Sequence, residues 1–138
     1  MWKRVGRVML TTLANMLVMI MLHGNSRQWW PKIPFLSLRN ESIAEHSRLL
    51  FNMQAVVTVG EAALGKFSPA RRRPRLLMLL ALPALLPLLI LFGRHVLRLE
   101  EKKLEIYYLS MVPTLPLAAA IVEEVLVARK EDAGMTRL

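Results

Sequence analysis

Cysteine is absent from the 138 residues, which excludes disulfides, thiolate-bound zinc, iron–sulfur clusters and thiol nucleophiles together. Acidic residues are absent from the first 40 positions. Lys3, Arg4, Arg7, Arg27, Lys32 and Arg39 carry the charge there, and Glu41 is the first carboxylate. Lys, Arg, His, Asp and Glu are all absent from two further stretches, Leu76–Phe92 and Ile106–Val122. An ion or proton path needs an ionisable group inside the bilayer, so these two runs argue against a rotor-ring hairpin and against a proton pump. No glycine-rich phosphate loop occurs, since Gly60 to Lys66 lacks the spacing, and no serine sits in a nucleophile elbow.

What is present is apolar and basic. Hydrophobic residues make up 54% of the chain, and the mean hydropathy is +0.37 although 21% of residues are charged. The apolar excess lies in blocks, which is the pattern of membrane spans rather than of a water-soluble core. Net charge is +9, with 13 Arg against 6 Lys. These charges flank the apolar blocks instead of forming one polar face, so anionic lipid head groups are the expected partner and nucleic acid is not.

The fold expected is an all-α membrane protein, in which a two-span transmembrane hairpin follows a short N-terminal helix and an amphipathic helix. Residues 1–23 form the N-terminal targeting or anchor helix. Arg4, Arg7, Thr11 and Asn15 recur at helical spacing as a polar stripe. The apolar run from Val8 reaches only about 22 Å, against a hydrocarbon core of about 30 Å. It is expected to lie in the interface, or to cross at a tilt with Arg7 snorkelling. An Arg-bearing, acid-free start is the composition of a mitochondrial targeting segment, here expected to be kept.

Residues 24–41 form a loop rich in Trp and Pro. Trp29 and Trp30 are candidate interface anchors, because an indole can bury its ring and keep its N–H wet. Residues 42–65 form the amphipathic helix. Ser42 with Glu45 reads as a capping box, and Gly65 suits the position past the helix end. Glu45, Arg48 and Asn52 share a face. Glu61 is expected on a solvated face near the helix end. Asn52, Gln54 and Glu61 make the helix too polar for lipid on all sides, so Phe51, Val56 and Val59 are candidate contacts for a partner protein.

Residues 66–138 hold the hairpin and a charged tail expected to be solvated from Glu123. Ten leucines fill Leu76–Phe92, contributing on the order of −5 kcal/mol of insertion free energy before the prolines are counted. Pro83 and Pro87 are expected to kink the first span, and Pro113 and Pro116 lie in the second. Arg71, Arg72, Arg73 and Arg75 precede the first span as a candidate anionic-lipid site, cardiolipin if the membrane is mitochondrial. Tyr107 and Tyr108 mark the edge of the second span as further interface anchors. Eight Lys or Arg flank the outer ends of the hairpin, against four in the Arg94–Glu105 connection. The outer ends should therefore face the matrix or cytoplasm.

No cofactor is expected. His23, His46 and His95 show no metal-ligand spacing. Met16, Met19 and His23 share a helix face and could in principle hold Cu(I), but methionine in such a chain is more commonly packing. In layout the chain resembles the supernumerary membrane subunits of mitochondrial respiratory complexes and ATP synthases. Those are small, basic, and carry one or two spans beside amphipathic helices. The resemblance rests on no motif and transfers no functional residue. It implies a non-catalytic role in assembly and stability, in the mitochondrial inner membrane, with other subunits of the complex as partners; a small transporter, channel or import component is the alternative.

Overall fold

The computed structural model describes residues 2–23, 32–39 and 42–135. Among them there are four long α-helices and no strand: α1 Trp2–His23, α2 Ile43–Ala63, α3 Arg72–Leu91 and α4 Glu101–Met135. A 3₁₀ turn, Pro69–Arg71, leads into α3, and a π-helical turn, Phe92–Val96, ends it. Three segments are long and apolar enough to cross a membrane: Trp2–His23, Pro69–Val96 and Glu101–Ala133. At 1.5 Å per residue each reaches about 30 Å or more, the thickness of a hydrocarbon core.

The helices pack as an antiparallel four-helix bundle. The His23 and His46 rings lie 5.5 Å apart, pairing the end of α1 with the start of α2. Thr11 donates to Glu61 near the far end of α2. Arg75 at the start of α3 meets Thr58 and Glu61 of α2 and Glu123 of α4. Arg4 pairs with Glu131, closing the ring between α1 and α4. Each helix therefore runs opposite to both of its neighbours, and α1 stands diagonal to α3. One end of the bundle gathers the start of α1 and α3; the other gathers their ends. Met53 and Pro116 are fully buried, and Met53 shares a core cluster with Leu49, Leu82, Leu86 and Leu115.

Local signals work where the sequence places them. The Ser42 hydroxyl caps α2 by accepting from the Glu45 amide. At the other end Gly65 takes φ +65°, the Gly65 amide bonds the Ala62 carbonyl, and the Lys66 amide bonds that of Glu61. This is the paired closure that a left-handed residue just past a helix permits. The polar face of Arg48 and Asn52 is spent inside the protein: both donate to carbonyls of the 35–37 turn. Leu38 then buries itself, its amide bonded to the Leu22 carbonyl.

The polar stripe of α1 is divided, with Arg4 and Arg7 about half exposed. Thr11 and Asn15 turn into the bundle while Leu10, Leu13 and Leu17 face out. The solvated tail does not begin at Glu123, because α4 continues to Met135 with Glu123, Glu124 and Val127 buried. Within the Arg94–Glu105 connection, the π turn and the early start of α4 leave only residues 97–100 between helices. The prolines interrupt neither helix: α3 is continuous through Pro83 and Pro87, and α4 through Pro113 and Pro116.

Candidate functional site

Two polar features stand at opposite ends of the bundle. At the end where α1 and α3 begin, two guanidiniums meet three carboxylates between helices. Arg75 donates from Nε to Glu123 Oε2 at 2.5 Å and from Nη2 to Glu61 Oε2 at 2.8 Å, and reaches Thr58 Oγ1 at 3.0 Å. Arg71 donates to Glu123 Oε1 at 2.8 Å and to Glu124. The Arg71, Arg75 and Glu123 side chains are each no more than 5% exposed. Thr11 adds a long contact to Glu61, and Arg4 and Arg7 stand 4.0 and 3.9 Å from Glu124, near enough to stabilise its charge but too far to hydrogen-bond.

The local reasons are plain. Arg71 and Arg75 are four apart, so they share one face at the start of α3. Glu123 and Glu124 are neighbours on α4, and Glu61 sits in the last turn of α2. Charges removed from water this completely are tolerated only when paired and hydrogen-bonded. Here every charged partner supplies that for another. The cluster ties α2, α3 and α4 together directly, with α1 at its rim. No group of three or more His, Cys, Asp or Glu residues suited to a metal ion occurs among the described residues.

This divides the arginine run that the sequence offers as one lipid site. Arg71 and Arg75 are consumed by protein carboxylates and are not available to lipid; Arg72 and Arg73 are exposed on the other side of the same turn. Glu61, expected on a solvated face, is a member of the cluster.

At the opposite end lies a cavity of about 480 Å³ between all four helices. Leu49, Leu50, Leu86, Met111 and Leu115 form its apolar depth, and His23, His46, Arg94, Glu105 and Tyr108 surround its mouth. Arg94 Nε donates to the Tyr108 hydroxyl at 2.9 Å. Tyr107 is half-buried, donates to the Leu89 carbonyl at 3.0 Å, and packs its ring against Gly93. A Cβ at Gly93 would stand 2.6 Å from that ring, so glycine is what lets α3 and α4 close here. The tyrosine pair thus acts within the bundle, Tyr107 as a clasp and Tyr108 at the cavity mouth.

Among the remaining expected residues, Phe51 and Val59 are exposed on α2, at 42% and 69%, and Val56 is partly covered. Trp29 and Trp30 lie outside the described residues. The sequence reading missed Glu123, Glu124 and Arg94. A signal existed for the first two in the four-residue spacing of Arg71 and Arg75, which leaves two cations on one face in need of acids. Comparison with known proteins adds no relative: no family model, curated protein or solved structure matches this chain.

Proposed function

We propose that this chain is a membrane-embedded, non-catalytic accessory subunit of a multi-subunit complex, stabilising that complex through helix contacts. The observation that carries the reading is an inverted polarity. Thr11, Asn15, Gln54, Arg71, Arg75 and Glu123 are buried, whereas Leu10, Leu17, Leu76, Leu80, Leu88 and Leu109 are each more than half exposed. Water would drive the opposite arrangement. Lipid favours this one, because only internal partners can satisfy polar groups there. Although α2 is not among the three segments apolar enough to cross unaided, it packs between α1 and α3 over a similar length, and it is the fourth crossing of this reading. Its polar residues Gln54, Thr58 and Glu61 do not count against it, because they face the interior or its rim.

The acid-free basic start and the basic residues flanking the hairpin support the mitochondrial inner membrane, and a respiratory complex or ATP synthase as the assembly. The exposed apolar face of α2, around Phe51 and Val59, supplies a surface for a neighbouring subunit. Gentle detergent extraction, native electrophoresis and mass spectrometry test the reading: co-migration with many other subunits is expected, and a lone monomer or small homo-oligomer would contradict it.

One observation favours a second reading, a small transporter or channel. Thr12 Oγ1, Asn15 Oδ1 and Gln54 Oε1 are buried without a protein partner among the described residues, and the α1–α2 register places them between the charge cluster and the cavity. Proton or cation flux across vesicles containing the purified protein would support this reading over the first.

A further inference from the structure

The cavity between the helix ends has a graded lining. Its depth is hydrocarbon, from Leu49 and Leu50 of α2, Leu86 of α3, and Met111 and Leu115 of α4; its polar groups are confined to one end. Two wall residues, Ile20 of α1 and Leu109 of α4, are themselves 54% and 62% exposed. The cavity is thus open rather than enclosed, with exposed apolar residues of α1 and α4 on its wall. An open apolar recess of about 480 Å³ leaves its leucine and methionine lining without packing partners on one side. Water is a poor occupant of such a depth, because it needs two or more polar partners. The volume lies within the range of ligand pockets.

The mouth narrows the choice of occupant. Arg94 and Glu105 are both exposed there, one of each sign, and Tyr108 holds the Arg94 guanidinium in place. A phosphate suits Arg94, and an ammonium group suits Glu105. A free fatty acid would leave Glu105 without a complement, and so would a phospholipid with an uncharged glycerol head group.

We propose that this cavity takes an acyl chain of one membrane phospholipid, with the lipid phosphate at Arg94 and an amine head group at Glu105. The inference rests on the membrane reading above. Chain entry is lateral, past Ile20 and Leu109, and the chain end lies against Met111 and Leu115. The bound lipid completes the packing at the end of the bundle opposite the Arg71–Arg75–Glu123 cluster.

The test uses the full-length protein in vesicles doped with a phospholipid that carries a photoactivatable diazirine at the end of one acyl chain, with adducts mapped by mass spectrometry. Annular lipid reaches only outward residues such as Leu80 and Leu88. A chain in the cavity also labels Met111 and Leu115, which are buried. Phosphatidylethanolamine and phosphatidylcholine probes are expected to label these two residues about threefold more than a phosphatidylglycerol probe, the size of one exposed ion pair. Arg94→Gln should lower buried labelling with all three probes, and Glu105→Gln should level them. Both positions are exposed, so the fold is kept, and labelling of Leu80 and Leu88 serves as the internal control. Adducts confined to outward positions overturn the cavity assignment and leave the membrane reading standing. Equal labelling of the buried residues by all three probes overturns the head-group assignment. Absence of adducts everywhere overturns the membrane reading itself.

Discussion

Replacing Arg75 with Met keeps most of the side-chain volume and deletes the charge at the centre of the ion cluster. The loss is worked from what Arg75 touches. It gives two hydrogen bonds to Glu123, one to Glu61 and one to Thr58. Removing one partner of a buried pair costs about 3–5 kcal/mol, because the remaining charge is left without compensation. Glu123 keeps Arg71 at 2.8 Å, which places the expected loss near the lower bound, about 3 kcal/mol. Among the described residues Glu61 then keeps only a long contact from Thr11 at 3.4 Å, so α2 should loosen first. The assay is unfolding in detergent micelles by SDS titration, followed by helical circular dichroism. Adding Glu123→Gln to Arg75→Met should cost less than the sum of the single changes, by about 1 kcal/mol or more, since residues in one network couple. A single-variant loss below about 1 kcal/mol, or strict additivity in the double variant, would refute the claim that these groups form one buried network.

Gly93→Ala should push the Tyr107 ring from its seat and break its bond to the Leu89 carbonyl, costing about 1–3 kcal/mol in the same titration. Ser42→Ala removes the α2 cap and should cost about 1 kcal/mol, with exchange-protection loss concentrated at the first turn of that helix. Arg72→Gln with Arg73→Gln should reduce co-purified anionic lipid at unchanged stability, whereas Arg71→Gln should lower stability, as read by lipid analysis and unfolding of the same preparations. Phe51→Asp with Val59→Asp should leave membrane insertion intact and abolish co-migration with partner subunits; normal assembly would move the contact surface elsewhere.

The elements were largely legible in the sequence. The leucine run, the second uncharged run and the capping signals of α2 mark helices that the structure contains. What could not be read was which polar residues face one another. Gln54, Thr58 and Glu61 make α2 look unsuited to an apolar setting, yet Thr58 and Glu61 meet Arg75. Compensation of that kind joins residues 14 to 53 positions apart, and no local period reports it. Glu123 and Glu124 were misread for a related reason. Acids directly after an apolar run normally mark a span end, and only the antiparallel pairing of α3 with α4 brings Arg71 and Arg75 opposite them. The cavity was invisible, because its lining comes from four helices and its depth is made of leucine and methionine that read as ordinary packing.

The proposal most exposed to test is that α2 crosses the membrane together with the three helices that are long and apolar enough to do so. The absence of cysteine allows a direct test with single substitutions Lys3→Cys, Arg39→Cys, Lys66→Cys, Glu101→Cys and Lys130→Cys, each probed by an impermeant thiol reagent in sealed vesicles of fixed orientation. The bundle predicts that positions 3, 66 and 130 react from one face, and positions 39 and 101 only from the other. Labelling of 3 and 39 from the same face would place α1 in the interface, and labelling of 39 and 66 from the same face would remove α2 from the membrane; either result contradicts the account.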